Sequence, residues 1–438
     1  MTAYPETSFL ELLRLGGHLT TSFLRRPQHF DVRASLLTGL QQLAARLNYP
    51  PGIVLHLLGK QLLLIIDPDL SDHILAATPS QQTYVAGELK RQSMAVLAPE
   101  ALTISQDDQW QQLRPYNERV LATHTQHPYQ GDFLAQVQAA FQDGVSDLDT
   151  IRQAMGIAML GIVLGESSGS RQLLQDVNKL AELVQNPLQR LVVGRLQTRR
   201  RDRLYSTLRQ LWHTNQTAHK PSLLAIAQAI HPTEVEENVL LQQIPHWMFT
   251  FTGSGSTLLG RTLTLITAQP HILERVQQEL SEASPPEQSQ TPNTIARLAY
   301  LEACLLETGR LYPPVLFTLH QAPQGDRFQD LEIPADIDLL QVFPIMQHPR
   351  DRALQSSDFQ PERWLSLPLE ARELPYSNLF LRGARTCPGK DLILFVCKGA
   401  IAHLLTHHIV HTAATSFNQA AWPTLFPDNE IQFQSQSR

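Results

Sequence analysis

Apolar residues recur at helical spacing from residue 32 to 47, and the pattern stops at Asn48-Tyr49-Pro50-Pro51. Two short apolar runs follow, Ile53–Leu58 and Gln61–Ile66, parted by Gly59-Lys60, which predicts a hairpin. Asp67-Pro68-Asp69 opens a short predicted helix through Ala77. No period is clear from Pro79 to Ala101. A helix begins at Asp108, and residues 133 to 230 are mostly helical in pattern. Thr233-Glu234-Val235-Glu236 reads as a capping box opening a long apolar segment to about Thr267, with Pro245 expected to kink it. Ser281 to Asn293 reads as a loop and Ile295 to Leu311 as a helix. Val315–Leu319 and Asp338–Phe343 read as strands of a small sheet. A last apolar run, Leu392 to Ala402, is long enough for a helix, and Thr415–Gln434 is irregular.

Composition narrows the class. Apolar residues are 42% and charged residues 17%, as expected of a globular chain with a large core. The net charge of −6 gives no basic footprint for nucleic acid. Three cysteines, an odd number, argue against a disulfide framework and fit a reducing, cytoplasmic compartment. Phe9 to Leu24 contains Glu11, Arg14 and His18, too polar for a membrane span, so no transmembrane anchor is expected. The cluster Arg195, Arg199, Arg200, Arg201 and Arg203 spreads around a helix and reads as a solvated face.

Chemistry concentrates at Phe380-Leu381-Arg382-Gly383-Ala384-Arg385-Thr386-Cys387-Pro388-Gly389. Pro388 suits the first position of the helix that follows. Cys387 then lies just before a helix N-terminus, where unpaired N–H groups and the dipole favour a thiolate. Gly389 lets backbone approach the sulfur, Gly383 permits positive φ, Arg385 is free to meet an anion and Phe380 can shield the sulfur. A shielded thiolate with a cation nearby suits a haem iron. Cys304 and Cys397 read as small buried hydrophobes. Inside the long helix, Thr250-Phe251-Thr252-Gly253-Ser254-Gly255-Ser256-Thr257 carries two glycines, each costing about 1 kcal/mol against Ala. Either a flat ligand or a tightly packed helix explains the close approach they permit.

The pattern F-x-x-G-x-R-x-C-x-G, fully matched by Phe380, Gly383, Arg385, Cys387 and Gly389, resembles the haem-binding loop of the cytochrome P450 family. Other motifs stand in that family's order. Glu307-Thr308-Gly309-Arg310 precedes Leu311-Tyr312-Pro313-Pro314-Val315, and Phe359-Gln360-Pro361-Glu362-Arg363-Trp364 resembles its P-E-R-F element, with Trp364 in place of Phe. The resemblance implies a mainly α fold with a small β region: a single large domain over 1–438, with a lead-in at 1–30 and the haem-thiolate core at 31–438. It implies haem b with Cys387 on iron, and a buried network in which Arg363 joins Glu307 and Arg310. Trp110 and Arg114, four apart on one helix face, match a W-x-x-x-R pair that reaches a haem propionate in the family; alone, such a pair reads as a core Trp beside a surface Arg. His320 falls where relatives place a cation against a propionate, and is otherwise a polar strand-end residue.

The implied reaction is oxidation of a lipophilic small molecule with oxygen and electrons from a ferredoxin and ferredoxin reductase, by a monomer. Arg382, Lys390 and Lys398 form the expected docking patch for the acidic ferredoxin. One departure stands out. Relatives show A/G-G-x-D/E-T on the long helix, an acid and an alcohol that move protons. Aligned on Gly253, the acid position is Gly255 and the alcohol position Ser256, with Thr257 one residue on and Thr252 one residue before. A peroxide-using or oxygenated-lipid-rearranging haem-thiolate enzyme is therefore the alternative, and a haem-bound sensor without turnover a third.

Overall fold

Strand β2 (Lys60–Ile65) shows how the sheet is buried. Its residues alternate between two apolar surroundings, Leu62 and Leu64 on one face, Leu63 and Ile65 on the other. The first face packs on Leu37, Leu40 and Leu43 of the Val32–Arg46 helix; the second packs on Leu70 and Ile74 of the Pro68–Ala76 helix. β2 pairs antiparallel with β1 (Gly52–Leu57), which is the expected hairpin. The computed structural model describes residues 4–7, 32–57, 60–77, 83–165, 171–185, 197–218, 220–283, 290–346, 358–366, 379–412 and 426–437. Most of the expected lead-in, Arg195 and residues 415–425 lie outside these.

Three further strands complete this sheet: β3 (Val85–Ala86), β4 (Phe317–Gln321) and β7 (Asp338–Val342), in the order β1-β2-β7-β4-β3. β2 and β7 run parallel, and the other neighbours antiparallel. β5 (Asp326–Phe328) pairs with β6 (Leu331–Ile333), and β8 (His408–Thr412) with β9 (Phe433–Ser437). The rest is mainly helical and shares one large apolar core. Among the described residues, no helix is long and apolar enough to cross a membrane.

The long helix departs from expectation at its start. It opens at Glu237, not at Thr233, and Glu236 caps it without a side-chain bond. The turn at Gln242 separates Glu237–Leu241 from Gln243–Thr250. Pro245 explains this break, because it has no N–H for the carbonyl of Leu241. Residues Phe251–Gly255 then form a π-helical turn before the α-helix resumes over Ser256–Thr267. A π turn inside an α-helix frequently marks a functional site.

Two charged patches also differ from their expected form. Arg200 and Arg203 reach the buried carboxylate of Asp176, at 3.2 and 2.5 Å, while Arg199 and Arg203 stay exposed, so the expected solvated face also carries an ion pair. Lys398 is buried and donates to Glu302 Oε2 (2.8 Å) and the Ala296 carbonyl (3.1 Å), and Arg382 pairs with Asp72. The docking patch expected from Arg382, Lys390 and Lys398 therefore does not form as an exposed surface.

Candidate functional site

The cysteine loop is built on backbone. Cys387 N–H donates to the Phe380 carbonyl (2.7 Å), and Thr386 N–H and Oγ1 both donate to the Gly383 carbonyl. Gly383 has φ +59°, and a Cβ there would lie 2.8 Å from the Leu75 carbonyl oxygen, so the position requires glycine twice over. The helix that follows is Lys390–His407 with Gly389 as its N-cap, so Pro388 sits in the turn before it and not at its first position. Thr123 Oγ1 donates to the Pro388 carbonyl (2.6 Å), and His124 N–H to Asp391 Oδ2 (2.7 Å).

Cys387 is half-buried, and that burial pushes its thiol upward. The Gly389 N–H and the Arg114 guanidinium act in the opposite direction but are outweighed. The loop alone therefore holds a thiol, and a cation bound at sulfur is what would draw off the proton. Arg114, on the Asp107–Leu121 helix, donates Nη1 to the Thr386 carbonyl (2.6 Å) and Nε to Glu118 (2.7 Å). Trp110 packs half-buried against the main core on the same helix. Arg385 donates to the Tyr84 carbonyl, yet its Nε is buried without a partner, and burial pulls its guanidinium down to about 10. Among the described residues this guanidinium makes no ion pair, and a partly buried guanidinium in that state suits an anion supplied from outside the chain.

His320 lies fully inside on β4. Its Nδ1 donates to Gln341 Oε1 (2.8 Å), because the Gln341 amide is committed to Ser71 Oγ (2.9 Å). Burial, and then Arg385 and Lys90, push its ring toward the neutral form.

The support beneath the loop is Glu307. This fully buried carboxylate accepts from Arg310 Nε and Nη2 (both 2.8 Å), Arg363 Nε (3.0 Å), Gln360 N–H (3.0 Å) and Trp364 Nε1 (2.9 Å). The network reaches the loop through Gly309, where a Cβ would stand 2.3 Å from Leu379 Cδ2; Leu379 and Phe380 pack on Leu306 and Trp364.

On the long helix every hydroxyl near the π turn bonds back to its own helix. Thr252 Oγ1 donates to Met248 O (2.7 Å), Ser256 Oγ to Thr252 O (2.5 Å) and Thr257 Oγ1 to Gly253 O (3.0 Å). A Cβ at Gly255 would meet Ile393 Cδ1 at 2.6 Å, so this position faces the Lys390–His407 helix. Cys397 donates weakly to the Gly255 carbonyl (3.8 Å). Cys304 and Cys397 are both buried and free, with burial pushing each thiol up.

Arg261 has no part in the motifs, yet it is buried and holds Asp428 through two nitrogens (2.8 and 2.7 Å) and the carbonyls of Tyr312 and Pro313. Lys90 and His246 are two further basic residues that no motif marks. A cavity of about 220 Å³ opens beyond the Glu88–Met94 helix, lined by Ala95, Val96, Leu180 and Arg201 among others.

The family profile described as Cytochrome P450 matches residues 168–424, more than half of the chain. The chain belongs to the cytochrome P450 family. A retinoic-acid-bound cyanobacterial P450, CYP120A1, is similar in fold, with a TM-score of 0.73 at 20% identity over 94% of this chain and 96% of that one. Similar sequences include the fusicoccadiene 8-ol C-16-hydroxylase of Phomopsis amygdali, 28% identical over 48% of this chain and 40% of that protein. Cytochrome P450 monooxygenase 91 of Postia placenta is 32% identical over 39% of this chain and 35% of that one. The matched stretches thus span well under half the length of these relatives. Family and fold together imply haem b, iron protoporphyrin IX, as the cofactor of this P450.

Proposed function

We propose that this P450 is a haem-thiolate monooxygenase-type oxidoreductase acting on a lipophilic small molecule. The observation that carries the reading is a half-buried Cys387 on the same loop as the partnerless Nε of Arg385, a loop supported by the Glu307 network. These residues fit haem b: Cys387 supplies a sulfur for the iron, and Arg385, Arg114, Trp110 and the neutral His320 supply donors or packing for the propionates. Gly383, Gly389 and Phe380 shape and shield that sulfur. Haem, when bound, supplies oxygen activation assisted by thiolate donation. The chain's own tasks are to exclude water, orient the substrate and hold protons. A hydroxylase of a terpene alcohol among the relatives, and a neighbour of like fold solved with retinoic acid, support a lipophilic substrate. Electrons from a ferredoxin and its reductase complete the reaction. Lys390 is what remains of the basic docking patch.

The structure favours a second reading in which a peroxide, or an already oxygenated lipid, is the oxidant. Gly255 offers no acid, and the hydroxyls of Thr252, Ser256 and Thr257 are all committed as donors to helix carbonyls. The deciding experiment measures product from a panel of lipids under two regimes, a surrogate ferredoxin system with oxygen, and hydrogen peroxide alone. Product with oxygen, tightly coupled to electrons, supports the first reading; product with peroxide only supports the second. No product in either, from protein carrying haem, overturns both and leaves a sensor.

A further inference from the structure

The Lys390–His407 helix begins behind the cysteine loop and ends in a group of histidines. At 1.5 Å per residue its two ends lie roughly 25 Å apart, so this group is well removed from Cys387. His403 and His407 are four residues apart on one helix face, and their rings stack with centroids 4.4 Å apart and planes inclined by 30°. His408, the first residue of β8, sets its ring at 61° to that of His403, 6.5 Å away.

The three rings are not used alike. His408 Nε2 donates to the Gln142 carbonyl (3.1 Å), which ties that ring to the neighbouring segment. His407 Nδ1 meets the His403 carbonyl (3.0 Å). A carbonyl only accepts, so Nδ1 carries the proton and the neutral ring keeps its lone pair on Nε2. His403 is the exception. Its Nδ1 and Nε2 are both buried with no hydrogen-bond partner among the described residues. An imidazole with both nitrogens unmet is costly to enclose, and the ring stacked on it belongs to His407, which is exposed. The pair also lies in the last two turns of the helix, where the dipole and the last carbonyls favour a cation.

We propose that His403 and His407 form a two-histidine site for a divalent transition cation of the kind imidazole prefers, copper, nickel or zinc in place of magnesium or calcium. Nε2 of His407 is one ligand and a ring nitrogen of His403 the other. The bond from His407 Nδ1 to a carbonyl is the outer contact that metal-bound histidines ordinarily make, and it holds the tautomer that binding needs. His407 is exposed, so its ring can turn to admit the ion. Among the described residues no three His, Cys, Asp or Glu side chains are placed to enclose a metal, so the site is an open one with its other positions left to water. An ion here clamps the last turns of the helix and stabilises the folded chain by mass action. The site stands whichever oxidant the enzyme uses.

The experiment is a calorimetric titration of the haem-loaded protein, free of any affinity tag, with Cu²⁺, Ni²⁺ and Mg²⁺. One equivalent of Cu²⁺ is expected to bind, more tightly than Ni²⁺, with Mg²⁺ giving no binding. His403→Gln and His407→Gln should each weaken that equivalent by about tenfold or more, since even the outer partner of a ligand is typically worth about 10–100-fold. His411→Gln, at an exposed histidine of β8, should leave it unchanged. Ni²⁺ should raise the melting temperature of wild type and His411→Gln, and leave that of His407→Gln where it was. Because His407 is exposed, its variant should fold and carry haem as wild type does. The proposal is overturned if no equivalent of Cu²⁺ or Ni²⁺ binds, if His407→Gln binds as tightly as wild type, or if His411→Gln loses the same equivalent.

Discussion

Trp364 Nε1 donates to Glu307 Oε2 at 2.9 Å, inside a site where both side chains are almost fully enclosed. The family's usual phenylalanine cannot make this bond. In this chain the indole therefore supplies one of five donors to a single carboxylate, and the rest come from Arg310, Arg363 and the Gln360 backbone.

Removing these donors should be graded. Trp364→Phe leaves four, and is expected to lower stability by about 1–3 kcal/mol with haem retained. Arg310→Ala removes two and strands a buried charge, at about 3–5 kcal/mol, and should give protein that fails to hold haem. Thermal melts with haem-to-protein ratios check both. Equal melting temperatures for the two variants would show that the carboxylate does not depend on the network.

Cys387→Ser should abolish the thiolate-type spectrum of the reduced carbon-monoxide complex. Cys304→Ala and Cys397→Ala should keep it, because both thiols are buried away from the loop and function as core. A thiolate spectrum surviving in Cys387→Ser would end the assignment of the iron ligand.

The missing acid can be restored only with a second change. Gly255→Asp drives its Cβ against Ile393 Cδ1, so the single variant should lose stability and show little gain. Gly255→Asp with Ile393→Val removes that methyl, and is expected to raise product formed per electron consumed several-fold with oxygen. A positioned acid–base group is typically worth roughly 10²–10⁴-fold. Ser256→Ala should change coupling less than about twofold, since its hydroxyl already donates to Thr252 O. A collapse of coupling in Ser256→Ala would show that the hydroxyl turns into the cavity during turnover.

Stability should fall on acidification through His127. Its Nδ1 accepts from Tyr129 N–H (3.2 Å) and its Nε2 donates to the Val120 carbonyl (3.3 Å), which fixes the neutral ring. Burial pulls its pKa down to about 4, below the unfolded value of 6.5. The unfolded chain then binds more protons between those values, so this stability is complete above about pH 6.5 and is lost as pH falls toward 4. The contribution is on the order of 3 kcal/mol. Denaturant midpoints of wild type and His127→Gln across pH 4–7 should converge at the acid end; parallel curves would remove His127 from the account.

The sequence made the cysteine loop, the hairpin and the order of motifs legible, because each is a local arrangement with fixed spacing. Glu307 and Arg310 were legible as a pair three residues apart, and Arg363 only through resemblance. What stayed hidden is long-range. Lys398 looks like a surface cation until Glu302, 96 residues away, is brought beside it. Arg261 looks like a stray charge on an apolar helix until Asp428 arrives from 167 residues away. The π turn is invisible as well, since its two glycines fit an ordinary packed helix equally.

The contacts that hold the cysteine loop carry a consequence for how the chain assembles. Arg114 to Thr386 spans 272 residues, Thr123 to Pro388 spans 265, Arg385 to Tyr84 spans 301 and Arg382 to Asp72 spans 310. Closing loops of that size forfeits chain entropy well before any bond is made in return, so such contacts form late. During synthesis the N-terminal partners emerge long before the loop they clasp. Haem capture is then the closing act of folding, and a chain waiting for haem already has most of its helices in place.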